Sequence, residues 1–159
     1  DSKYSIDMIR FFFYFVIMLT IVAAFFTVSC EKVETPVVEY LEVNASNLHG
    51  NWVLKSINDS PVQDGACFYI NFNRSGNEYT IWETMTSIPS TPNVDKGTFA
   101  IYTDPELGAY IRGIDEIRQE WSDRYVIKDL TKTTMTWVGV NDSGTVQKFE
   151  RVDEVPFEK

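Results

Sequence analysis

The chain has 159 residues, 14 Lys and Arg against 23 Asp and Glu, one His, two Cys and 44% hydrophobic residues. That is room for one modest domain and leaves none for a second. A net charge of −9 with scattered basic residues excludes a phosphate-gripping nucleic-acid surface, and one His with two Cys cannot furnish a Cys/His zinc site unaided.

Residues 11–28 form an apolar run without a single charge, interrupted only by Tyr14, Thr20 and Thr27, and they hold six of the eleven Phe. A run of this length can cross a membrane as a short helix or serve as the core of a signal peptide. Arg10 flanks it on one side, and Thr27-Val28-Ser29-Cys30 closes it with small or short side chains ahead of a cysteine. That order resembles the lipobox of bacterial lipoproteins, although Thr27 stands where the pattern usually has Leu. The resemblance implies that residues 1–29 are a signal peptide removed before Cys30. Cys30 then carries acyl chains of the palmitate type, and its partner is membrane lipid. An uncleaved anchor helix, or an ordinary secretory signal with Cys30 as a plain thiol, are the other readings. All three put the rest of the chain outside the cytoplasm, and the lipobox puts it in a bacterial cell envelope, anchored at the outer membrane on its periplasmic or outer face. Met8-Ile9-Arg10 would make a normal short positive opening, so translation is expected to start at Met8.

Removing residues 1–29 leaves the net charge at −9, since that segment holds two basic and two acidic residues. Residues 30–47 carry four Glu and one Pro with little periodicity, which reads as an acidic, lipid-anchored tether. The alternative is a first edge strand through Val37, Val38, Glu39, Tyr40 and Leu41.

From Leu48 the pattern alternates with period two, broken at short intervals by Asn, Asp, Gly, Ser and Pro, which predicts strands over 52–57, 67–73, 78–85, 98–102, 109–114, 124–130, 133–140 and 145–152. Asn141-Asp142-Ser143-Gly144 is a hairpin signal between the last two. Ile114, Ile117 and Trp121 have helical spacing, so one or two helical turns compete there with a strand continuation. One face collects Trp52, Leu54, Phe68, Ile70, Phe72, Tyr79, Ile81, Phe99, Ile101, Tyr125, Ile127, Trp137 and Phe149, with polar residues on the other. Apolar inside and polar outside is the reverse of a membrane-spanning barrel. The fold class expected is therefore all-β, a small up-and-down antiparallel barrel of about eight strands.

Gly50-Asn51-Trp52 at the start of the first strand resembles the Gly-x-Trp signature of lipocalins. The stretch from Met135-Thr136-Trp137-Val138 to Gln147-Lys148-Phe149-Glu150-Arg151-Val152 resembles the last hairpin of lipocalin-like domains in bacterial lipoproteins of one Gram-negative phylum. The resemblance spans 48–152 and leaves 153–159 as a tail. It implies that Trp52 closes one end of the barrel and that Arg151 stacks over it. The family's paired disulfide cysteines and long C-terminal helix are missing.

Trp52, Phe68, Phe72, Tyr79, Phe99, Tyr125, Trp137 and Phe149 would either line a pocket for a small apolar or glycan ligand or simply fill the interior, since an eight-stranded barrel allows both. Tyr69, Trp82 and Tyr102 share the opposite face. Exposed together they would make an aromatic patch for a glycan or an envelope protein partner, and covered they would lie under the tether or the loop 87–96. Catalysis has little to work with. His49 is the only imidazole, Cys67 has no evident base, and Asp115, Glu116, Glu120 and Asp123 lack the spacing of a calcium loop. The sequence therefore predicts a non-enzymatic protein without cofactor, metal or nucleic-acid partner. Asn44, Asn58, Asn73 and Asn141 open Asn-x-Ser triplets, which turn chemistry explains without glycans.

Overall fold

A computed structural model describes residues 37–84, 91–142 and 144–157. The chain divides into two units, Asp1–Val37 and Val38–Lys159, and all that follows concerns the second. The signal-peptide segment, Cys30, the start of the tether, loop residues 85–90 and Ser143 lie outside the described residues.

The described strands are β1 (Gly50–Ile57), β2 (Ser60–Pro61), β3 (Cys67–Asn73), β4 (Glu78–Thr84), β5 (Asn93–Asp104), β6 (Gly108–Asp115), β7 (Tyr125–Lys128), β8 (Thr134–Gly139) and β9 (Val146–Val152). β2 pairs only with the end of β1. The other eight run antiparallel in chain order, and β1 pairs with β9, so the sheet closes into an up-and-down barrel. Closure leaves no unpaired edge among the eight. All eight strands expected from the alternation are present.

The same alternation fixes the interior, because residues directly opposite in an antiparallel pair face the same side of the sheet. Trp52 pairs with Ile70 on one side and Arg151 on the other, and Leu54 pairs with Phe149. Every one of the thirteen residues assigned to the inner face lies in the core cluster or packs against it, Phe68, Ile101 and Tyr125 being the partly buried ones. Leu48, Ile111, Leu130 and Met135 complete the core.

Apart from shifts of one or two residues at strand ends, three stretches differ from the sequence reading. β5 starts at Asn93 rather than 98, because Asn93, Val94, Asp95 and Lys96 continue the ladder with β4 in a stretch that reads as polar loop. The packed region starts before Leu48: Leu41 N–H donates to Leu130 O at 2.7 Å, and Leu41, Val43 and Ala45 pack against the core. A single-turn helix α1 (Ala45–Leu48) follows, capped by Asn44, whose side chain accepts from Asn47 N–H at 2.9 Å. Residues 41–47 are therefore wall rather than tether. Between β6 and β7 no helix forms. Asp115 N–H donates to Gln119 O and Trp121 N–H to Gly113 O, so the chain folds back along β6, with Arg118 at a positive φ of 65°. Ile117, which helical spacing would place beside Trp121, is 81% exposed.

Candidate functional site

The two ends of the barrel differ in what fills them. At one end the Trp52 ring is fully buried, and its Nε1–H donates to Leu48 O at 2.8 Å. The Arg151 guanidinium lies over that ring, 4.1 Å from its centroid. Its Nε donates to Lys132 O at 2.7 Å, Nη2 to Asn47 O at 2.8 Å, and Nη1 to His49 O. Burial holds its pKa below the ordinary arginine value. One side chain thus ties β9 to the β7–β8 turn, to α1 and to the entry of β1. Gly50 makes this possible: its φ is +116°, and a Cβ there would stand 2.6 Å from Arg151 Nη1. Phe72, Phe99, Phe149 and Trp137 fill the space above, with ring centroids 5.0 Å apart for Phe72 and Phe99 and 4.8 Å for Trp137 and Phe149. Gly50, Trp52 and Arg151 therefore meet as expected, and this end is solid.

The other end, where Ile57 pairs with Gln147, is hollow. A cavity of about 280 Å³ opens there, walled by Phe68, Ile81, Trp121, Tyr125 and Trp137. Glu83, Asp95, Ser122 and Gln147 supply its polar lining. The register explains the mixture. Phe68 pairs with Glu83, Ile81 with Asp95 and Trp137 with Gln147, so each of these three polar residues shares the inner face with an apolar partner.

The aromatic walls interlock. Trp137 stacks on Tyr125 with centroids 4.9 Å apart, and Trp121 lies 5.8 Å from Trp137. Trp121 reaches this position because Gly113 leaves room: a Cβ on Gly113 would come within 2.1 Å of the indole. Tyr79 meets Trp121 edge-on at 4.9 Å and donates its hydroxyl to Asp95 Oδ2 at 3.0 Å. Burial, reinforced by that carboxylate, holds the Tyr79 phenol far above its usual pKa, and burial raises Tyr125 as well. Both stay neutral donors at any physiological pH. Trp137 is 2% exposed, and among the described residues its Nε1–H has no acceptor.

Of the eight residues expected to line a pocket, Phe68, Tyr125 and Trp137 do so, while Tyr79 stands behind Trp121. Trp52, Phe72, Phe99 and Phe149 belong to the filled end, because large rings from neighbouring strands close that volume. Trp121, Glu83, Asp95, Ser122 and Gln147 were not anticipated. For Glu83 the signal was available: it continues the parity of Tyr79 and Ile81.

The outer aromatic trio does not form one surface. Tyr69 and Trp82 are cross-strand partners, but Trp82 is only 7% exposed, and Tyr69 packs edge-on against Phe157 at 5.9 Å. Tyr102 sits at the far end of β5, 48% exposed and stacked on Tyr110 at 5.2 Å. Nor do the four acids gather. Asp115 Oδ1 accepts from Gln119 N–H, and Glu120 pairs with Arg112. Asp123 accepts backbone N–H groups of Arg124, Asn141 and Asp142. Burial pushes the Asp123 carboxyl up, but those donors outweigh it and hold the pKa below the usual carboxylate value. Among the described residues no group of His, Cys, Asp and Glu could hold a metal ion. His49 Nδ1 lies 2.9 Å from Phe72 O near the closed end. Cys67 is a free thiol raised in pKa by burial.

These features define a class: a closed, antiparallel, up-and-down β-barrel, plugged at one end and hollow at the other. No protein-family model matches the chain, and no curated protein is similar enough to count as a match.

Proposed function

We propose that the chain is a lipocalin-like binding protein of a bacterial envelope, non-catalytic, that holds a small ligand in the open end of its barrel and is anchored to the outer membrane through acylated Cys30. The observation that carries the binding half is the contrast between the ends: Trp52 under Arg151 seals one, and the other retains a cavity of about 280 Å³ with few but convergent polar groups. That volume lies just below the usual range of ligand sites, which starts at about 300 Å³, and suits only a small ligand. The Gly50-Asn51-Trp52 opening and the Arg151 stack support the lipocalin-like reading. The anchor rests on the order of residues 11–30 alone.

The four Trp report on binding separately. In chain labelled with 5-fluorotryptophan, titration with hexanol and methyl glucoside, as apolar and glycan probes, should shift the Trp121 and Trp137 resonances saturably and leave Trp52 in place. Absence of any saturable shift at Trp121 and Trp137 overturns ligand binding at this end. For the anchor, metabolic palmitate labelling should disappear in Cys30→Ala, and undiminished labelling removes the lipoprotein assignment.

A further inference from the structure

The open end differs from a plain apolar cup in the sign of its charge. Glu83 and Asp95 both face inward from adjacent strands, paired with Phe68 and Ile81. The described lining includes no Lys or Arg. Among the described residues Glu83 has no ion-pair partner; every cation found in a salt bridge is engaged elsewhere, Lys55 with Glu150, Arg112 with Glu120, Lys132 with Glu39 and Lys148 with Asp59. Asp95 accepts from the Tyr79 hydroxyl and, among the described residues, is in no salt bridge.

Glu83 and Asp95 are half-buried at the rim of the cavity, so a cation entering it meets two carboxylates on adjacent strands. Of the aromatic walls beside these carboxylates, Trp121 and Tyr125 are only partly buried, and aromatic ring faces attract a cation, Trp most strongly. Carboxylates and aromatic faces select the same ligand charge.

We infer that the cavity takes a small organic cation: a quaternary or protonated amine with an apolar body. The ammonium would sit between Glu83, Asp95 and the Trp121 and Tyr125 rings. This inference rests on the reading of the open end as a ligand site and adds the chemical class to it.

Acetylcholine and 3,3-dimethylbutyl acetate are a suitable pair, because they have nearly the same shape and differ in charge. Titrated calorimetrically into the full chain, acetylcholine should bind at least about tenfold more tightly than the neutral ester, and the preference should shrink as salt rises. In Glu83→Gln, and separately in Asp95→Asn, which keeps an acceptor for Tyr79, the preference should fall several-fold towards one. Circular dichroism and the thermal transition check that each variant is folded, and either folded variant suffices. Equal affinity of the two compounds, or preference for the neutral one, overturns the cationic class while leaving the open end a ligand site. Binding of neither overturns both readings for ligands of this size. A preference unchanged in both folded variants also overturns the inference, since the charge selection would then arise elsewhere.

Discussion

Arg151→Ala should cost this barrel a large share of its stability. The side chain makes three hydrogen bonds to backbone carbonyls, those of Lys132, Asn47 and His49, and stacks on Trp52 at 4.1 Å. Hydrogen bonds from a charged donor contribute about 1.5–3 kcal/mol each, and a cation–π contact about 0.5–2 kcal/mol. Water can reach part of this end of the barrel and rehydrate carbonyls that lose the guanidinium, so each contribution belongs at or below the bottom of its range. The expected loss is then about 3–4 kcal/mol, a large share of the 5–15 kcal/mol typical of a domain. With a urea m-value of about 1.5–2 kcal/mol/M, the unfolding midpoint should drop by roughly 2 M. Arg151→Lys keeps the charge near the indole but replaces a planar fork with a single ammonium, and should recover less than half of the loss. Equilibrium urea unfolding followed by tryptophan emission measures both variants. A loss below about 1 kcal/mol in Arg151→Ala, or full stability in Arg151→Lys, would refute the view that this guanidinium holds the closed end together.

Gly113→Ala places a methyl 2.1 Å from the Trp121 indole, so Trp121 must leave its seat against Tyr79. A destabilisation of about 1–3 kcal/mol is expected, with a displaced Trp121 fluorine resonance and an unmoved Trp52. An unmoved Trp121 would show that the backbone yields instead. Asp123→Asn gives the pH test. The folded-state pKa of Asp123 is depressed below 3.8, so its stabilising effect is present above that value and is lost as pH falls through the folded pKa. The variant should be weaker than wild type by about 1 kcal/mol at pH 7, and the difference should vanish in acid below the folded pKa. Urea midpoints at a series of pH values report this, and a difference that persists or grows in acid contradicts it.

Most of the fold could be read from the sequence because one rule governed it. In a barrel with a single apolar interior, period-two alternation names the inner face directly, and no residue assigned inward turned out to face water. What escaped had local causes. Asp95 looked like loop because Asn93, Val94, Asp95 and Lys96 are mostly polar and sit near Pro92, yet their ladder with β4 is made by backbone groups that composition does not reveal. Trp121 looked like one residue of a helical stripe, and only the positive φ at Arg118 and the bare Gly113 send it into the barrel. Residues 41–47 looked like tether because four Glu in 31–42 mask a short apolar set, Leu41, Val43 and Ala45, that covers the barrel wall. The outer trio was grouped by facing direction alone; distance along β5 separates Tyr102 from Tyr69 and Trp82.

The candidate site was less legible than the fold for a reason that follows from how an interior was sought. Collecting large apolar residues finds the part of a barrel that is full, and here that search returns Trp52, Phe72, Phe99 and Phe149 at the sealed end. A hollow is made by the positions where the apolar series stops while the strand continues. Glu83 after Ile81, Asp95 before Gly97 and Gln147 before Phe149 are three such stops, on β4, β5 and β9. They occur at the same end, and the cavity lies there. None of the three side chains can be sealed under aromatic rings without losing hydration, so they keep the mouth open to water or to a ligand that replaces it. Bulky apolar residues at those positions would extend the core to the rim and leave nothing to bind. The interruption of the pattern, which reads as noise when the aim is to define a core, is thus the physical origin of the cavity, and on the proposed reading its acidic character limits the ligands that can fill it.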